Sequence, residues 1–292
     1  MIPAELVRVV RQLEITTRGL VRSLAAGDYA SVFRGRGVEF AEVREYMAGD
    51  DIRTIDWNVT ARLGVPYVKR FREERQLTVL LVIDVSASGH FGSALRTKRD
   101  LAAELAAVLA LAGTRHRDRV GAVLYTDRIE WFAPPRSGRR HALTIVDRVL
   151  GVEPAGRGTN LPLALDYLEP LLRRRAAVVV ISDFMDPEQW SAIERLAPRH
   201  DVVAIQLSDP RERALPSIGL ANLWDPETGD WKTVDLSLEA TRRQLHDRWA
   251  EFEASLARRC HANRIDLLRL STDQPYSEPL AAFFGRRDRR TA

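Results

Sequence analysis

Asp84, Ser86 and Ser88 alternate in Asp84-Val85-Ser86-Ala87-Ser88, directly after a continuous apolar run at 78–83. A second apolar run, 176–181, ends in Ser182-Asp183, and between the two the loop Gly156-Arg157-Gly158-Thr159-Asn160 carries a threonine to the start of a helix. Two carboxylates and three hydroxyls make a set of hard oxygen donors, the kind that Mg²⁺ prefers. The carboxylates balance a divalent charge, and the hydroxyls add donors without adding repulsion. A coordination position left over would take a carboxylate from a partner protein. Each residue also has a purely structural use: Asp84 caps the next turn, Ser86 and Ser88 are ordinary loop residues, and Thr159 caps the helix beginning near Leu161-Pro162. Asp183 is the least explained by such uses. The helix after it has its own cap in Asp186, with Pro187 at the first helical position and Gln189 three residues on.

The elements that would hold these residues follow from periodicity. Continuous apolar runs at 78–83 and 176–181 read as strands buried on both faces. Further strands are expected at 119–125, 128–132, 201–207 and 264–270, and helices at 95–113, 139–150, 161–173, 187–197, 238–261 and 276–285. Alternation of this kind gives an α/β fold, a doubly wound and mostly parallel sheet with helices on both faces. Ligands then bind beyond the carboxyl ends of the strands, where Asp84 and Asp183 stand. Two strand-like segments around Asp225-Pro226-Glu227-Thr228-Gly229-Asp230 predict an inserted β-hairpin over 218–236. Ahead of the sheet, residues 4–25 read as an amphipathic helix, and strand-like pieces at 38–46 and 67–75 surround Gly49-Asp50-Asp51. The expected division is an N-terminal extension over 1–76 and a sheet domain over 77–292, with an Arg-rich tail at 286–290 that frays.

The order Asp84-x-Ser86-x-Ser88, then Thr159, then Asp183 resembles the metal-ion-dependent adhesion site of von Willebrand factor A domains. Upstream, Gly35-Arg36-Gly37-Val38-Glu39-Phe40, Arg44-Glu45-Tyr46, Gly49-Asp50-Asp51-Ile52-Arg53, Ile55-Asp56-Trp57 and Ala61-Arg62 resemble the signature of the bacterial DUF58 family. The resemblance spans roughly residues 25–210 and is most specific over 35–88. It implies a non-enzymatic, Mg²⁺-dependent protein-binding module that works with a MoxR-type AAA+ ATPase in chaperone-like maturation of client proteins. By that carry-over Asp84, Ser86 and Ser88 supply the first loop's ligands, Thr159 the second and Asp183 the third, with Mn²⁺ or Ca²⁺ as alternatives to Mg²⁺. Where the family often has Met after the second serine, this chain has Gly89-His90-Phe91-Gly92, which puts His90 and Phe91 at the rim of the site with Arg157. Many relatives carry N-terminal transmembrane helices, which this sequence lacks.

Composition narrows the alternatives. The 292 residues are 45% hydrophobic and 29% charged, enough apolar material for a sizeable core. Lysine occurs only as Lys69, Lys98 and Lys232, so 41 of the 44 basic residues are arginine, a bias that codon usage explains. A net charge of +4, without a large clustered excess, argues against nucleic acid as a partner. Cys260 is alone, which excludes an internal disulfide and a Cys-rich zinc site, and reads as a thiol on a helix face. Glu5, Arg8 and Arg11 interrupt any secretory signal, and no apolar run approaches the roughly 20 residues of a membrane span, so the cytosol is the expected compartment.

Among enzymes, the alternative is a metal-dependent phosphatase or hydrolase using Asp84, but Ser86 stands where that chemistry needs a second carboxylate. There is no G-x-S-x-G around the serines and no H-E-x-x-H, and Gly35 and Gly37 lack the third glycine of a dinucleotide fingerprint. The acidic block is assigned to structure: Asp50, Asp51 and Asp56 pair with Arg53 and Arg62 to pin the extension to the sheet, with Trp57 as a packing anchor. A second cation among those carboxylates is the other reading.

Overall fold

The computed structural model describes residues 39–47, 50–72, 77–94, 96–115, 117–186 and 190–291. The expected helix at 4–25 and the motif around Gly35 lie outside them. The chain enters through an antiparallel pair, β1 (Glu39–Glu45) and β2 (Tyr67–Arg72), joined across helix α1 (Trp57–Leu63). There follow β3 (Thr78–Asp84), α2 (Lys98–Arg115), β4 (Arg119–Tyr125), β5 (Ile129–Arg136), α3 (Arg139–Gly151) and α4 (Leu161–Leu168). The second half is β6 (Ala177–Ser182), α5 (Trp190–Leu196), β7 (Asp201–Ser208), α6 (Pro210–Arg213), β8 (Leu220–Trp224), β9 (Trp231–Asp235), α7 (Glu239–Ala262), β10 (Asp266–Ser271) and α8 (Ser277–Thr291).

Six strands form one sheet in the order β10-β7-β6-β3-β4-β5, parallel throughout except for β5 against β4. The chain lays β4 and β5 on one side of β3 and then returns to lay β6 on the other. The gap between the ends of β3 and β6 is therefore the topological switch point, where an open α/β sheet leaves a crevice. Both central strands are runs of Val, Ile and Leu because both of their faces are covered. On one face α2, α3 and α8 pack through residues such as Leu105, Leu109, Ile145 and Leu280. On the other, α4, α5 and α7 pack through Leu161, Leu165, Ile193 and Leu256. Fully buried leucines such as Leu101, Leu105 and Leu109 each contribute about 2 kcal/mol of apolar transfer.

Several expectations shift for physical reasons. The helix expected over 161–173 stops at Leu168 and tightens into a 3₁₀ turn, Glu169–Leu171, because Pro170 has no N–H to continue it. The strand expected at 128–132 runs on to Arg136 through Pro134 and Pro135, which an edge strand tolerates. Gly121 lets β5 come close there: a Cβ on it would meet Ala133 O at 2.8 Å and Pro135 N at 2.9 Å. The tail does not fray at Arg287. That residue lies in α8, is 6% exposed, and holds Asp201 through two bonds of 2.7 and 2.9 Å with Asp266 at 3.3 Å.

In the acidic block, Asp50 is held by Arg44 through bonds of 2.8 and 2.6 Å, and Asp56 caps α1 by accepting from the Asn58 and Val59 amides. Thr54 bonds back to the Asp51 carbonyl, Arg53 falls in the 3₁₀ turn Ile52–Thr54, and Arg62 lies exposed in the last turn of α1. Trp57 is 67% exposed and is not the packing anchor expected of it. It is the first residue of a seven-residue helix that has no buried position.

Candidate functional site

The end of β3 turns through a short 3₁₀ helix, Ala87–His90, whose bonds from Gly89 N to Ser86 O and from Phe91 N to Ser88 O fold the two serines back toward Asp84. Asp84 Oδ1 accepts the Ser86 amide at 2.9 Å, and its Oδ2 accepts the Ser182 hydroxyl at 2.8 Å from the neighbouring strand. The Ser86 and Ser88 hydroxyls lie 3.1 Å apart, and Ser88 Oγ donates to Asp183 Oδ2 at 3.1 Å. Four of the five expected ligands thus form one hydrogen-bonded chain across the switch point. At the end of β6 the backbone turns sharply: Phe184 adopts φ +58, unusual for a bulky residue, and its fully buried ring rests against Trp190. Asp183 is placed by that turn.

Thr159 comes from a separate loop that is fixed at both ends. Ala87 N donates to Arg157 O at 3.0 Å, tying this loop to the serine turn, while Asn160 N donates to Thr126 O at 2.9 Å. Glu130 accepts the Ala155 and Gly156 amides at 3.1 and 2.8 Å and the Thr126 hydroxyl at 2.7 Å. Gly156 is required here, because a Cβ would lie 2.0 Å from Asp127 Oδ1 and 2.2 Å from Thr126 Oγ1. The cap of α4 is Asn160, whose side chain accepts from Leu163 N. Thr159 is therefore not the cap, and its hydroxyl instead donates to Glu227 Oε1 at 2.7 Å. The Asp186 cap expected for α5 adjoins 187–189, which lie outside the described residues.

Three charged residues absent from the expected set also reach the site. Lys98, 3% exposed at the start of α2, donates to Asp183 Oδ2 and to Glu212 Oε1, each at 2.7 Å. Burial opposes its charge, but the two carboxylates outweigh burial and hold the ammonium above its ordinary value. Glu212 belongs to α6, where its other oxygen accepts the amide of Asp209, the cap of that helix. Glu227 reaches in from the turn between β8 and β9. Burial, and after it the charge of Asp183, pushes the Asp84 carboxyl up to about 7. Burial likewise raises Glu212 and Glu227.

A cavity of about 10 Å³ is lined by Asp84, Ser88, Lys98, Ser182 and Asp183, among others, room for about one water-sized occupant. Its oxygen donors come from Asp84, Ser88, Ser182 and Asp183, carboxylates and hydroxyls of the hard kind, with the ammonium of Lys98 among them. Among the described residues no three His, Cys, Asp or Glu side chains form a metal-holding group by themselves, so hydroxyls have to supply part of any donor set. The rim residues spread apart. His90 Nε2 lies 3.0 Å from Arg99 Nη1, Phe91 is 43% exposed, and His90 and Arg157 line a groove of about 330 Å³ with Val85, Pro154, Trp224 and Pro226. Cys260 is buried with its thiol pushed up to about 12, chiefly by burial, and takes no part in the site.

No helix among the described residues is long and apolar enough to cross a membrane. Two solved structures align with about three-quarters of the chain at 14% identity: BatB from Bacteroides thetaiotaomicron at a TM-score of 0.45, and a membrane-spanning protein from Vibrio fischeri at 0.25. Uncharacterized proteins of Mycobacterium bovis and Mycobacterium tuberculosis are each 34% identical over 288 residues, covering 98% of this chain and 90% of theirs. A third, from Mycobacterium avium, is 34% identical over 163 residues, 53% of this chain and 94% of its own. The family model for the protein of unknown function DUF58 matches residues 42–255, and by that match the chain belongs to the DUF58 family.

Proposed function

We propose that this protein is a non-enzymatic, divalent-cation-dependent protein-binding module, with a von Willebrand A-like site held by Asp84, Ser86, Ser88, Thr159 and Asp183. The reading is supported above all by one observation: at the switch point, Asp84, Ser86, Ser88 and Asp183 form a hydrogen-bonded chain. Bound there, Mg²⁺, or Mn²⁺ or Ca²⁺ in its place, supplies a Lewis-acidic position for a partner's carboxylate. Ser86 and Ser88 orient their hydroxyls through the turn that follows β3, Ser182 holds Asp84, and Lys98 fixes Asp183 while answering its charge. Both oxygens of Asp84 are engaged, by the Ser86 amide and the Ser182 hydroxyl, and Ser86 stands where a phosphatase needs its second carboxylate, which disfavours Asp84 as a nucleophile.

The partner class is a MoxR-type AAA+ ATPase, or a client on which the two act together in the cytoplasm. The test is capture of that ATPase by wild type and by Asp84→Ala, with Mg²⁺ or with EDTA. Capture is expected from wild type in Mg²⁺ and is expected to fall at least about tenfold with EDTA or with the variant, an effect of about 1.4 kcal/mol. Capture indifferent to both overturns the cation mechanism. The purified protein is expected to show no phosphatase or ATPase turnover, and metal-dependent turnover lost in Asp84→Ala would establish the hydrolase reading in its place.

A further inference from the structure

We propose that Glu227, at the tip of the β8–β9 hairpin, is the chain's own acidic ligand for the cation site, occupying the position expected of a partner's carboxylate. The inference rests on the cation reading above. Glu227 and Thr159 are 68 residues apart, yet the Thr159 hydroxyl donates to Glu227 Oε1 at 2.7 Å, and the Ser88 hydroxyl and the Asp183 charge act on the same carboxyl. The hairpin thus delivers a third carboxylate to the hydroxyl of Thr159, one of the five donors assigned to the cation, and a divalent charge there would offset the repulsion among the three acids.

The turn is built to aim that residue. Asp225 Oδ1 accepts the Glu227 and Thr228 amides, Asp225 N donates to Asp230 O, and Gly229 takes φ +80 to close the loop. Directly behind it Trp224 and Trp231 pair across the strands with their rings stacked 6.0 Å apart, a contact that stiffens the tip. The arms are loosely held by contrast. No residue of β8 or β9 is buried, and Leu220 and Trp231 are 76% and 69% exposed. A two-stranded hairpin of this kind is marginal by itself, so its resting place depends on what its tip binds. Lifting it would widen the groove between Trp224, Pro226, His90 and Arg157.

The experiment uses the full chain with Mn²⁺ as the probe. Affinity is read by paramagnetic resonance titration, and hydrogen exchange is followed over residues 220–235 with and without the ion. Glu227→Gln keeps an acceptor for Thr159 but removes the charge. It is expected to weaken Mn²⁺ binding roughly tenfold, and Mn²⁺ is expected to slow hairpin exchange in wild type but not in this variant. A variant that binds Mn²⁺ as wild type does, or a wild-type hairpin whose exchange the ion leaves unchanged, overturns the proposal while the cation site stands. Wild type that binds no Mn²⁺, or Asp84→Ala that binds it normally, overturns the cation reading and this inference together. Circular dichroism checks that each variant is folded, with Asp84→Asn as the substitute where Asp84→Ala is not.

Discussion

Lys98 shares one ammonium between Asp183 and Glu212 at 2.7 Å each, in a place where only 3% of the residue meets solvent. A compact charge on a flexible stem suits that position, whereas a planar guanidinium needs a wider fork of acceptors. Lys98→Met leaves both acids buried without their cation and is expected to cost about 3 kcal/mol in a urea titration. Lys98→Arg is expected to recover only part of the loss. In the sequence Lys98 is one of three lysines beside 41 arginines, a bias that codon usage explains and that points to no site. Asp84, Ser86, Ser88 and Asp183 were legible because buried strands announce their own ends. Lys98 and Glu227 were not, because contacts with residues 85 and 68 positions away bring them to the site, and no local pattern encodes that distance.

At the scale of elements, the loop from Gly156 to Asn160 is rigid and the hairpin opposite it is loose. The loop owes its rigidity to Glu130, Thr126 and the Ala87–Arg157 bond, and Gly156 is the residue with no room for a side chain. Gly156→Ala is expected to displace Thr159 and to weaken Mn²⁺ binding at least about tenfold, with the far-ultraviolet spectrum of the fold retained. Normal affinity in that variant would show that Thr159 does not need this placement. The elements themselves were mostly readable from period and punctuation. The exceptions lie where a rule for one residue met a tertiary demand. Pro170 shortened α4, paired prolines were admitted to β5 because it is an edge, and α8 was carried past residue 285 by Arg287 seeking Asp201 and Asp266.

At the scale of the whole molecule, Asp209 joins three distant segments. It is fully buried, and its carboxylate accepts from the Ser93 hydroxyl and amide, from Thr272 beyond β10, and from Arg211 in α6. Burial alone would raise its pKa, but these hydrogen bonds outweigh burial and hold it below the ordinary value. The stability it lends is therefore complete above the unfolded value of about 3.9 and is lost as pH falls through the lower folded value. Asp209→Asn is expected to cost about 2 kcal/mol at pH 7, and the gap from wild type is expected to narrow in urea titrations taken progressively below pH 4. A gap that stays constant with pH would mean that shape, not charge, does the joining.

The two prolines of β5 carry a consequence for how the molecule can meet others. Pro134 and Pro135 bring no backbone N–H, and they fall where the register with β4 is irregular, between the Ala122–Ala133 and Val120–Arg136 pairs. The β5 margin cannot offer an unbroken ladder to an incoming strand. Growth of the sheet by strand addition, whether from a foreign peptide or from a second copy, is interrupted on that side. Recognition is thereby steered away from backbone zippering at β5 and toward side chains at the carboxyl ends of the strands.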